Sequence, residues 1–228
     1  ILHVRSLKTG DDREVSRELN RFRNPRWSPD GRFILVSGYD GDNRQEGYNG
    51  GLYKIDVEDG NVTVLVQYAA GTLGIGEWSR ITGECSPDGK AIFYINRDSI
   101  LKKELGSGRE RQLYSNPHLM TNQRGFRLIA LSPDGEKVVF GIHDPENGSG
   151  DLMLMSASGG KARELLKLEE SDKIEAVAWL PNGRYVLFTK KEEEGMSLWR
   201  IASQGGVPQR LWESEKDLRG LRIHPDGQ

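Results

Sequence analysis

The sequence predicts an all-β chain, a β-propeller of four-stranded antiparallel blades, and three observations carry that prediction. A turn tetrapeptide recurs five times, a separate nine-residue motif recurs in step with it, and glycine is in excess. The tetrapeptide reads Ser28-Pro29-Asp30-Gly31, Ser86-Pro87-Asp88-Gly89, Ser132-Pro133-Asp134-Gly135, Leu180-Pro181-Asn182-Gly183 and His224-Pro225-Asp226-Gly227. Its prolines are 58, 46, 48 and 44 residues apart. Proline fixes φ at the first corner of a turn, and Asp or Asn before Gly tolerates the left-handed backbone that closes it. A strand-like run follows each of the first four: Phe33–Val36, Ala91–Tyr94, Lys137–Phe140 and Tyr185–Phe188. Each copy is therefore a hairpin of an inner strand, a fixed turn and a buried second strand.

The second motif is LHVRSLKTG at 2–10, LYKIDVEDG at 52–60, ILKKELGSG at 100–108, LMLMSASGG at 152–160 and LWRIASQGG at 198–206. Each copy is a strand running into a Gly turn, followed by another strand. Four strands per period of roughly 45 residues make the blade of a propeller. The 28 glycines supply the punctuation that many short strands need. Two segments, Asp11–Phe22 and Lys161–Trp179, have helical spacing or helix-forming composition. The repeat register assigns both to strands, because every blade must bury the same faces.

Labelling strands a to d outward from the channel, complete blades are expected at 22–68, 78–115, 124–168 and 174–214. Residues 1–19 supply strands c and d of a preceding blade, and 219–228 supply one strand a. The chain reads as one propeller domain or fragment, about five repeats of a parent with six to eight blades. The alternative is that five blades close as they stand.

The Ser-Pro-Asp-Gly turn after an apolar strand, with a strand reading Leu-Tyr-x-Ile-Asp into Asp-Gly, resembles the TolB-type, WD40-like propeller repeat. The Trp-Asp dipeptide of true WD40 repeats is absent. The resemblance covers essentially the whole chain and implies a module of a larger bacterial protein. Related blades occur in tricorn-type and prolyl-oligopeptidase-type proteases, so the repeat specifies fold and leaves activity open. Periplasmic and cytoplasmic locations both remain open.

The chemistry expected is that of binding. Lys plus Arg total 32 against 34 Asp plus Glu, a net charge of −2, which gives no electrostatic reason for nucleic-acid or membrane-surface association. No apolar run approaches the roughly 18 residues of a membrane span. A single cysteine, Cys85, excludes an intramolecular disulfide. There is no Gly-x-Ser-x-Gly elbow, and His3, His118, His143 and His224 lie in different repeats. Asp40-Gly41-Asp42-Asn43 begins like a calcium loop, but Arg44 stands where an oxygen ligand is wanted. No enzyme activity, cofactor or metal is expected.

Loop length points to a site. Gly38–Gly51, Ala69–Ser79 and Asn116–Gly125 extend connections on one face of neighbouring blades, and loops beyond the structural minimum often carry function. They bring Tyr39, Arg44, Tyr48, Trp78, Arg80, His118 and Arg124. Five residues before the first position of each turn motif stand Arg23, Ile81, Arg127, Glu175 and Arg219, at the start of strand a. Arginine suits bidentate capture of carboxylate. The expected ligand is a protein or peptide with an acidic group, received at Arg23, Arg127 and Arg219 with Arg80 and Arg124 nearby. The alternative function is a substrate-filtering propeller of a serine peptidase. Trp27, Trp179, Phe93, Phe140, Phe188 and Trp199 are expected in the core between blades.

Overall fold

A computed structural model describes residues 1–16, 19, 21–40, 49–67, 82–119, 128–143, 150–169, 173–215, 221 and 223. All regular structure among these residues is strand. The chain divides into two compact units, residues 1–92 and 93–228.

Blade by blade, the strands follow the repeat. β1 (Leu2–Arg5) and β2 (Asp12–Ser16) form a two-stranded hairpin. β3 (Arg21–Trp27), β4 (Phe33–Asp40), β5 (Asn49–Asp56) and β6 (Val62–Gln67) form a sheet in sequential order. β7 (Gly83–Cys85), β8 (Ala91–Asn96), β9 (Ser99–Glu104) and β10 (Glu110–Ser115) form another. β11 (Ile129–Leu131), β12 (Lys137–His143), β13 (Gly150–Ser156) and β14 (Arg163–Lys167) follow. The last sheet is β15 (Lys173–Trp179), β16 (Tyr185–Lys191), β17 (Met196–Ala202) and β18 (Gln209–Ser214). Both segments with helical composition are strands, β2 in the first and β14 with β15 in the second. The connection expected at 38–51 is shorter, because β4 continues to Asp40 and β5 starts at Asn49. Of the strand expected at 219–228, only Leu221 and Ile223 lie within the described residues.

The turn motif works through its side chains. Ser28 Oγ donates to Asp30 Oδ1 at 2.7 Å and accepts the Phe33 amide at 3.0 Å, while Asp30 Oδ1 accepts the Arg32 amide at 3.1 Å. The same three bonds recur at Ser86 and Asp88 and at Ser132 and Asp134. Gly31 closes the first turn at φ 71°, a left-handed backbone that costs an L-residue about 1–2 kcal/mol. The fourth copy keeps the backbone bonds, Gly183 to Leu180 and Leu180 to Tyr185, and its Asn182 accepts the Arg184 amide.

The second strand of each blade is buried on both faces, which its unbroken apolar sequence anticipates. In residues 1–92, Ile34 and Val36 pack with Tyr53, Ile55, Leu2 and Leu19. In residues 93–228, Val138 and Phe140 pack with Phe93, Ile95 and Leu113, while Val139 and Leu154 pack with Val186, Phe188 and Trp179. Full burial of such side chains contributes about 1.5–3 kcal/mol each. Trp179 Nε1 donates to the Ala130 carbonyl at 3.2 Å, tying adjacent inner strands.

Trp27 corrects one expectation: it is 53% exposed rather than core. It occupies the same repeat position as Trp179, but the described residues before β3 are outer strands alone. Among the described residues, no inner strand takes for Trp27 the part that β11 takes for Trp179.

Blades also meet through their turns. Arg13 on β2 donates from Nη2 to the Val57 carbonyl at 2.7 Å, and Arg163 on β14 donates from Nη2 to the Ser203 carbonyl. Both acceptors are the sixth residue of the nine-residue motif in the following copy. Close by, a Cβ on Gly60 would lie 2.1 Å from the Val15 carbonyl, so that turn fits its neighbour only without a side chain.

Candidate functional site

Arg44, Tyr48, Trp78, Arg80, Arg124, Arg127 and Arg219 lie outside the described residues. Arg23 is placed by its backbone in β3, paired with Ser37. His118 is exposed, its amide donates to Asn116 Oδ1 at 2.8 Å, and its carbonyl accepts the His143 amide at 2.6 Å. That backbone strap brings together two histidines from different repeats, which sequence spacing did not reveal.

A site that the sequence reading missed opens at the other end of the blades, where the Ser-Pro-Asp-Gly turns lie. A cavity of about 990 Å³ is lined by β8–β10 on one side and by Gly135–Lys137 and Ser156–Arg163 on the other. This volume lies within the roughly 300–1,000 Å³ of small-ligand pockets. Its floor is apolar, with Phe93, Leu154, Met155, Ala157 and Ala162. Its rim is cationic, with Lys102, Arg111, Lys137, Lys161 and Arg163 against the single carboxylate Glu136.

Lys102 Nζ pairs with Glu104 Oε1 at 2.9 Å and lies 5.7 Å from the centre of the Phe93 ring. Glu110, beside Arg111 in sequence, accepts a hydrogen bond from the Tyr94 hydroxyl. Arg111, Lys137 and Lys161 form no ion pair among the described residues. Lys137 faces the Asp134 carboxylate, which leaves Arg111 and Lys161 as cations without a counter-charge among the described residues, and these around an apolar floor suit a ligand with both carboxylate and hydrocarbon.

A second charged cluster lies on inner strands of residues 1–92. Arg26 Nη2 meets Glu84 Oε1 at 3.0 Å, with 15% and 21% of their side-chain surfaces exposed. Burial pushes the Glu84 carboxyl above its usual range, and the Arg26 charge only partly opposes that. Burial, with the negative charges of Glu84 and Asp30, pushes the Cys85 thiol up to about 12. Such a thiol is a poor nucleophile. The described residues contain no cluster of three metal-ligating groups.

No family model matches the sequence. An uncharacterised protein of Agrobacterium fabrum is 24% identical over 217 residues, 93% of this chain and 66% of that protein. TolB from Acinetobacter baumannii matches in structure with a TM-score of 0.69 and 21% identity, over 95% of this chain and 49% of TolB. The fold is a TolB-type β-propeller. A second TolB structure, from Agrobacterium tumefaciens, gives 0.66 and 20%, over 93% of this chain and 69% of that one. Dipeptidyl peptidase 4 from Porphyromonas gingivalis gives 0.58 and 14%, over 97% of this chain and 37% of the peptidase. The chain thus spans about half the length of the Acinetobacter protein.

Proposed function

We propose that this propeller is a non-catalytic binding scaffold for a protein or peptide carrying acidic groups, within a larger bacterial protein. The observation that supports the reading is the cavity with a cationic rim, Arg111 and Lys161 without a counter-charge among the described residues, above an apolar floor. A folded partner or extended peptide buries hydrocarbon there and matches charge at the rim, the arrangement expected of a selective interface. The strand-a arginines Arg23, Arg127 and Arg219, with Arg80 and Arg124 of the long loops, are a second contact region in this proposal, and Arg44, Tyr48, Trp78 and His118 extend it.

The test is a selection of random peptides displayed on phage against the 228-residue chain, together with ester and peptide turnover assays. Enrichment of acidic, apolar peptides without turnover supports the reading. Turnover abolished by one Ser, His or Asp substitution overturns it. The second reading, a substrate-filtering propeller of a peptidase, is favoured by the fold shared with dipeptidyl peptidase 4. A hydrolase domain encoded beside this segment in the parent gene would select it.

A further inference from the structure

The third residue after the Gly that ends the nine-residue motif is arginine in three copies: Arg13, Arg111 and Arg163. Two of the three are engaged in the same way. Arg13 reaches the Val57 carbonyl and Arg163 reaches the Ser203 carbonyl, each the sixth motif residue of the following copy. The sixth residue opposite Arg111 is Ala157. There the bond is open, since Arg111 is exposed and makes no hydrogen bond to Ala157 among the described residues. The surrounding contact is nonetheless intact. A Cβ on Gly159 would lie 3.3 Å from the Leu113 carbonyl, so the turn seats on the preceding outer strand there as Gly60 does on Val15. The cavity opens where this recurring tie is undone, and Arg111 and Ala157 both line it.

We infer that this cleft is an acidic-peptide site in which a ligand carboxylate takes from Arg111 the hydrogen bonds that a turn carbonyl takes at the other two ties. The inference rests on the binding reading above and names the residue and chemistry of its site. A carboxylate is the better acceptor for a guanidinium, since charge-assisted bonds are roughly twice as strong as neutral ones. Of the neighbouring carboxylates, Glu104 is held by Lys102 and Glu110 accepts from Tyr94, which leaves Glu136 across the cavity as the one carboxylate of its lining, against five cations. Lys161 and Lys137 add positive potential from the facing turns. An apolar side chain next to the ligand carboxylate rests on Phe93 and Met155, which excludes water from the ion pair and strengthens it. The Ala157 carbonyl, free of its arginine, can accept a peptide N–H.

The probe is a fluorescein-labelled nonapeptide alternating Glu and Leu, read by fluorescence anisotropy at low salt, with a Gln-for-Glu peptide as control. The wild-type chain binds the Glu peptide at least tenfold more tightly than the Gln peptide. R111Q, at an exposed position, keeps the wild-type melting temperature and loses at least tenfold in affinity for the Glu peptide. R13Q, whose tie to the Val57 carbonyl is made and whose side chain does not line the cavity, lowers the melting temperature and keeps the affinity within twofold. Equal binding of the Glu peptide by R111Q and wild type overturns the inference. If phage-selected peptides also bind R111Q normally, the site lies elsewhere and the binding reading stands. If the wild type retains no peptide at all, both fall.

Discussion

Replacing Arg26 by Met strands a buried carboxylate, and the structure sets the size of the effect. The pair stands at 3.0 Å. At an effective dielectric constant near 20, the attraction is about 5.5 kcal/mol. Desolvation costs several kcal/mol per ion, so the intact pair contributes little net stability. Arg26→Met removes the attraction and leaves Glu84 desolvated, for a loss of about 3–5 kcal/mol at pH 7.5. The double variant Arg26→Met with Glu84→Leu replaces both ions by hydrocarbon and is expected within about 1 kcal/mol of wild type. Urea denaturation with a constant m-value reads the three differences.

The pH dependence gives an independent check. Glu84 already titrates above its usual range, and loss of Arg26 raises it further. A raised carboxyl binds its proton in the folded state first. The folded state therefore gains stability as pH falls from the raised value toward the ordinary one near 4.3. The penalty of Arg26→Met shrinks across that window. A penalty under 1 kcal/mol, or one that is the same at pH 5 as at pH 7.5, would show that the pair is solvated and refute the reasoning.

Cys85, with its thiol near 12, is expected to react with iodoacetamide at pH 8 at least about 100-fold more slowly in the folded chain than in urea, and equal rates would contradict this. Ser132→Ala removes one donor to Asp134 and one acceptor for Lys137, at a cost of about 1 kcal/mol per bond near neutrality. The Ser132 bond is the largest cause of the lowered Asp134 pKa, followed by the Glu136 amide. Stability from that depressed carboxyl is present above the ordinary value near 3.9 and lost as pH falls through the folded value. Ser132→Ala should therefore lose less stability than wild type between pH 5 and pH 2.5. Identical acid profiles in urea titrations would sink this account.

Much of the fold was legible because it rests on local chemistry repeated in register. Ser28, Asp30 and Gly31 fix a turn within four residues, and the pattern reappears wherever the spacing does. Register also overruled local composition at β2 and β14, where strand pairing and burial outweigh helix propensity. Trp27 was misjudged because its environment depends on which strand stands beside it, and the tetrapeptide says nothing of that. Arg111 was passed over for the same reason: its importance is a bond that Arg13 and Arg163 make and it does not. Such a difference needs coordinates for the turn across from it. Arg44, Arg80 and Arg124 were chosen for loop length, and Arg23, Arg127 and Arg219 for their equivalent places at the start of strand a; all but Arg23 fall outside the described residues.

The fourth turn gives the repeat an uneven chemistry. Leu180 and Asn182 stand where the first three turns have Ser and Asp, yet the backbone bonds of the hairpin persist. The hairpin shape is thus carried by the main chain, and the side-chain triad adds a titratable strut to three of the four described copies. Asp30, Asp88 and Asp134 are all held below their ordinary range, whereas Asn182 has no proton to gain. Acid should consequently loosen this protein unevenly. The hairpins at Ser28, Ser86 and Ser132 give up their struts, while the one around Asn182 has no such strut to lose.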